Sequence, residues 1–210
     1  MSSLAVSDMV LAFASTFAAS LLFQQKGFDP VHRVASRGAL LGFILMALAA
    51  FTGTLRYGFS ESWAGPYLML NNVATFMAPP LITLALALIL TARVWTRGAW
   101  GRTIIALCLF YEISRWYGLE TLYRDLQWTL CMVVCLLLIL KSQIEPGPKA
   151  MLLASVASYC IGGLIIGNEG TLAGYQRLNL FRYFIALGNL MLGSGLYLVL
   201  RQSYSETSGH

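Results

Sequence analysis

Long apolar runs, interrupted only by short clusters of charge, constrain this chain more than any other feature of it. An α-helix needs roughly 20 apolar residues to cross a hydrocarbon core about 30 Å thick. No water is available there to bond the backbone, so such runs fold as helices. Seven can be laid out, at about 8–24, 35–55, 66–92, 103–117, 122–140, 150–166 and 180–200. Little remains between them, so the expectation is a single seven-helix transmembrane domain over 1–202 with a polar, frayed tail at 203–210. The fold class is all-α and polytopic. Composition agrees, since 58% of the 210 residues are hydrophobic and 11% charged, against about 25% charged in soluble domains. The first run, Met9 to Phe23, has no basic residue before it and reads as a span, not a cleaved leader.

The charges also orient the chain. Alternate loops place Lys26, Arg33, Arg37, Arg93, Arg97, Arg102, Lys141, Lys149 and Arg201 on one side, with Asp29, Glu145 and Glu206. The other side receives Arg56, Arg115, Arg124, Arg177 and Arg182, with Asp8, Glu61, Glu112, Glu120, Asp125 and Glu169. The side richer in Lys and Arg is cytoplasmic by the positive-inside rule. The amino terminus is then outside and the carboxyl terminus inside, in a cytoplasmic membrane. The net charge of +5 is thereby a property of membrane loops. No basic run is long enough for a nucleic-acid surface.

Aromatic side chains at run ends suit the headgroup zone. Trp63, Tyr67, Trp116, Tyr117, Tyr123 and Trp128 are expected at the outer edge, and Trp95 and Trp100 at the inner one. Glycines four apart, Gly38 with Gly42 and Gly163 with Gly167, are expected to let helices approach closely. Cys108, Cys131, Cys135 and Cys160 all fall inside runs and read as small packing residues.

Three places carry polar chemistry at membrane depth. Counting from Thr103 places Glu112 roughly 13 Å along the fourth span, near the midplane. Arg115 follows three residues later on the same face and can pair with it. Pro79-Pro80 breaks the middle of span 3, where the carbonyls of Thr75 and Phe76 should lose their donors. Asn71 and Asn72 lie about two turns earlier. Span 7 carries Asn179 and Arg182 at its outer end and Asn189 near its middle. If Arg56, Asn72, Glu112, Arg115, Arg182 and Asn189 converge, they form a polar ligand pocket in the outer half.

The residues that are missing restrict the chemistry further. Neither histidine, His32 nor His210, lies in a span. That disfavours a haem held by two histidines and a histidine-bound zinc inside the bundle. Lys26, Lys141 and Lys149 lie in loops, so span 7 offers no amine for a retinal Schiff base. No phosphate-cradling loop or nucleophile elbow occurs. No cofactor, metal ligand or catalytic set is expected.

Two stretches resemble a known superfamily. Ala50-Phe51-Thr52-Gly53-Thr54-Leu55-Arg56-Tyr57-Gly58-Phe59 and Asn179-Leu180-Phe181-Arg182-Tyr183 are similar to segments of the seven-helix membrane hydrolases, which include the alkaline ceramidases and adiponectin-type receptors. That family places histidines in both stretches, where this chain has Arg56, Tyr57, Arg182 and Tyr183. The resemblance therefore implies the fold without the metal-dependent hydrolysis. The function expected is non-enzymatic: binding a lipid or small molecule, or docking to another membrane protein. The alternatives are a lipid hydrolase working through carboxylates such as Glu112 and Asp125, and a transporter or channel subunit built on the span 3 break.

Overall fold

In a computed structural model the described residues are 2–24, 27–167, 170–172 and 174–208. Lys26, Glu169 and His210, which entered the charge and histidine readings, lie outside them. The described residues are all-α apart from one short hairpin. The helices are α1 (Ser3–Phe23), α2 (Arg33–Gly58), α3 (Ala64–Leu90), α4 (Arg97–Trp116), α5 (Glu120–Lys141), α6 (Pro146–Cys160) and α7 (Arg177–Ser208). A π-helical turn, Ile161–Ile166, continues α6 and ends at Gly167, whose φ of 68° needs a residue without Cβ. Antiparallel β1 (Thr171–Leu172) and β2 (Tyr175–Gln176) then lead into α7.

Several helices begin earlier than the apolar pattern predicts, because polar caps set their starts. Ser2 caps α1, its Oγ accepting from the amide of Ala5 at 3.3 Å and donating to the carbonyl of Tyr57 at 2.8 Å. That moves the start ahead of Asp8 and carries Asp8 inside the bundle. Thr96 caps α4 by accepting from the Ala99 amide at 3.2 Å, so α4 starts at Arg97 and not at Thr103. Pro146 and Pro148 open α6 inside the expected loop, where the missing amide donors cost nothing. Lys149 closes the preceding turn by donating to the carbonyls of Leu140 and Ser142, at 3.1 and 2.8 Å. The tail expected to fray is helical as far as Ser208.

Among the described residues six segments are long and apolar enough to cross a membrane: Ser3–Phe23, Arg33–Gly58, Glu61–Leu90, Glu120–Lys141, Pro146–Ile166 and Arg177–Ser203. These are the marks of an integral membrane protein. Helix α4 is not among them, since Arg97, Arg102, Glu112 and Arg115 interrupt its 20 residues.

The core sits among α1, α2, α3 and α7, with α5 and α6 closing it. Ala18, Phe43, Leu81, Ile139, Leu152 and Leu196 are fully enclosed there. Small residues permit this. Gly193 on α7 faces Ala18 on α1, whose Cα would lie 2.8 Å from an added Cβ. Gly42 on α2 meets Ile82 on α3 at 2.7 Å in the same sense. Helix α4 lies at the periphery, with Trp100 and Ser114 as its buried residues. Trp100 is thus no interfacial belt residue. Its ring fills the space over Gly38 of α2 and packs edge-on against Trp95, centroids 6.2 Å apart. Trp116 and Tyr117 are 84% and 75% exposed, off the bundle's core. His32 is buried just before α2, and burial holds its imidazole below the ordinary pKa against the opposing pull of Asp29.

Candidate ligand-binding cavity

The end of the bundle where α1 and α7 begin and α2 ends carries a buried ion pair. Arg182 Nε lies 3.0 Å from Asp8 Oδ1, and the two residues are 5% and 2% exposed. Gly53 of α2 leaves the room for the Asp8 carboxylate, since an added Cβ would meet it. The guanidinium has further acceptors, donating to the Tyr67 hydroxyl at 3.2 Å and the Leu4 carbonyl at 3.4 Å. It also stands over the Tyr57 ring, 5.4 Å from its centroid. Tyr57 packs edge-on against Tyr67, centroids 5.6 Å apart. The opposite carboxylate oxygen, Asp8 Oδ2, is buried with no hydrogen-bond partner. Four helices thus contribute to one charged cluster.

The cluster borders a partly open cavity of about 250 Å³. Asp8, Tyr67, Asn71, Thr75, Arg124 and Arg182 supply its polar lining. Leu11, Met46, Ala49, Ala50 and Ile185 supply an apolar lining, and Pro79 and Trp128 complete the wall. Charged donors and an apolar surface within one cavity suit a molecule with a polar head and an apolar body.

The candidate residues read from sequence separate into two groups. Arg182 is in the cluster. Arg56 is its rim, paired with Glu61 at 2.7 Å and lying over the Tyr67 ring at 5.3 Å. Asn189 lies fully buried elsewhere, accepting from the Tyr159 hydroxyl at 2.7 Å and donating to Ser15 Oγ at 2.8 Å. Gly188 beside it leaves room for the Tyr159 ring. Asn189 is therefore a bond between α1, α6 and α7. Asn72 is exposed, while its neighbour Asn71 lines the cavity. Successive helical residues point about 100° apart, so only one of the pair can face inward.

Glu112 and Arg115 do not join the others. They pair with each other at 2.9 Å on the outer surface of α4, both about half exposed. Because α4 begins at Arg97, Glu112 lies roughly 22 Å along it, close to its end and not near the middle. Asp125, the second carboxylate considered, pairs with Arg124 at 3.1 Å and is exposed. Among the described residues no three His, Cys, Asp or Glu side chains gather as a metal site.

At the proline pair, α3 continues as a helix and is not divided. One freed carbonyl has a substitute donor, because Gln127 of α5 donates through Nε2 to Phe76 at 2.9 Å.

Asp8, Tyr67 and Arg124 were read from sequence as loop or interfacial residues. The readable signal was the Ser2 cap ahead of Asp8, which moves a carboxylate into the span. No family model, curated protein or solved structure matches the chain.

Proposed function

We infer that this protein is a non-enzymatic, seven-span membrane protein that binds an amphiphile in the cavity beside the Asp8–Arg182 pair. One observation carries this reading: a buried ion pair between two helices long and apolar enough to span a membrane borders a cavity of about 250 Å³ with one polar and one apolar lining. Ionisable groups there are costly, and they mark binding sites or pathways more often than they add stability. The polar head would meet Arg182, Tyr67, Asn71 and Arg124, and the apolar body Met46, Ala49 and Ile185. The two stretches that carry the resemblance to membrane hydrolases lie together here, with Arg182 over Tyr57. The arginine and tyrosine in place of histidines are in keeping with binding without metal-dependent hydrolysis.

The proposed topology puts the amino terminus and this cavity on the outer side of a cytoplasmic membrane. Helix α4 is the seventh span, and its Glu112–Arg115 pair lies toward the outer headgroups. The loop charges support this orientation. Removing the buried Asp8–Arg182 pair from the count leaves four basic residues on the outer side against nine on the other, which sharpens the asymmetry.

Thermal unfolding of the purified protein with a panel of single- and double-chain amphiphiles tests the reading. A ligand at about 100 times its Kd stabilises by about 2.7 kcal/mol, or roughly 5–10 °C in a chain of this size. Asn71→Leu, on the polar wall, is expected to remove most of that shift and leave the ligand-free Tm within about 2 °C. No shift with any amphiphile, or an equal shift in Asn71→Leu, would overturn the assignment.

A further inference from the structure

A second space opens between α5 and the α6 turn, a groove of about 640 Å³. Gly163, exposed, and Gly167 stand in its wall, and a Cβ added to either would meet nothing within 4 Å. Its charge is unevenly distributed. Arg124, Asp125 and Arg177 line it together, while Val133, Leu136, Val156 and Leu164 give it an apolar wall.

Arg177, the first residue of α7, is half-buried. Its Nε is shielded from solvent and has no hydrogen-bond partner among the described residues. A guanidinium carries five donors and no acceptor, and shielded donors without partners are costly. Among the described residues Arg124 pairs with Asp125, through an exposed contact of 3.1 Å that is worth little by itself. Among the described residues that line the groove, two cations therefore face one carboxylate, an excess of one positive charge above an apolar wall.

We propose that this groove binds an anionic phospholipid from the surrounding leaflet, with its phosphate between Arg124 and Arg177 and one acyl chain along α5 and α6. Arginine matches phosphate in charge and in its forked donor geometry. Basic pockets between helices at the membrane surface select anionic headgroups in this way. A free phosphate ion would gain nothing from Val133, Leu136 or Leu164, so the lipid is the occupant. The groove shares Arg124 and Trp128 with the inner cavity. Arg177 and Gly163 line the groove and not that cavity, so the two sites can be tested separately.

The test is native mass spectrometry of delipidated protein titrated with phosphatidylglycerol and with phosphatidylcholine of the same chains. At least about tenfold preference for the anionic lipid is expected, equivalent to one charge-assisted contact of about 1.4 kcal/mol. Arg177→Gln is expected to abolish that preference, and Arg177→Lys to keep part of it. Gly163→Leu, which fills the groove, is expected to reduce retention of both lipids without lowering the lipid-free Tm. Asn71→Leu is expected to keep the preference, whatever it does to the inner cavity. Equal retention of the two lipids by the wild type, an undiminished preference in Arg177→Gln, or loss of preference in Asn71→Leu would overturn the proposal. Displacement of bound lipid by millimolar inorganic phosphate would also overturn it, since the site would then take a free anion.

Discussion

The Asp8–Arg182 pair decides more about the site than any other contact. Each partner alone would be an uncompensated charge in a dry interior, so removing one costs far more than removing both. Arg182→Gln is expected to destabilise by about 3–5 kcal/mol. The double variant Asp8→Asn with Arg182→Gln should recover at least about 1 kcal/mol of that loss. Thermal unfolding in one detergent measures this directly. Additive losses in the double variant would mean that the pair is not coupled in solution. The sequence showed Arg182 to be unusual but not its partner. Asp8 and Arg182 lie 174 positions apart in the chain and meet only because α1 packs along α7. The sequence reading counted both among the outer-side charges, Asp8 at the first residue of span 1 and Arg182 at the outer end of span 7, and had no means of pairing them.

At the scale of the element, α3 tests whether a proline break was repaired or exploited. Pro79 and Pro80 remove two amide donors, yet the helix continues through them. Gln127 of α5 replaces one lost bond, at the carbonyl of Phe76. Gln127→Leu is expected to destabilise by about 1 kcal/mol by leaving that carbonyl unbonded. In a Pro80→Ala background the restored amide can bond the same carbonyl, so Gln127→Leu should then cost markedly less. Paired melting curves for the four proteins of this cycle read the coupling, and an equal cost in both backgrounds would reject it. The sequence reading expected a break that α3 does not have, but the need of the freed carbonyls for new donors was legible. The identity of the donor was not, because it comes from the helix packed alongside. Asn71 and Asn72 show the same limit within one element: adjacent residues of equal chemistry point about 100° apart, and the helix's packing decides which lines the cavity.

For the whole molecule, the span number turns on α4. Six segments are long and apolar enough to cross a membrane. The proposed seventh span requires the ends of α4 to lie on opposite sides. A cysteine-free background retaining single cysteines at Gly98 or Gly118 separates the cases. A membrane-impermeant maleimide applied to intact cells should label the Gly118→Cys protein and not the Gly98→Cys protein. Labelling of both, or of neither until the cells are opened, would exclude a spanning α4. Trp100, wedged over Gly38, anchors the amino-terminal end of this helix to the bundle.

The all-α class, the apolar runs and the loop-charge asymmetry follow from local composition, because lipid forces each apolar segment to satisfy its own backbone. The sequence alone also established that no histidine or lysine falls in any of these apolar runs. Only the tertiary structure decided which polar residues meet. It buried Asp8 against Arg182, turned Asn71 inward and Asn72 outward, and left Glu112 and Arg115 paired on the outer face of α4. Helix caps shift register by several residues, and neighbouring helices choose which side of each helix is enclosed. Neither effect is visible in the hydropathy of a single run.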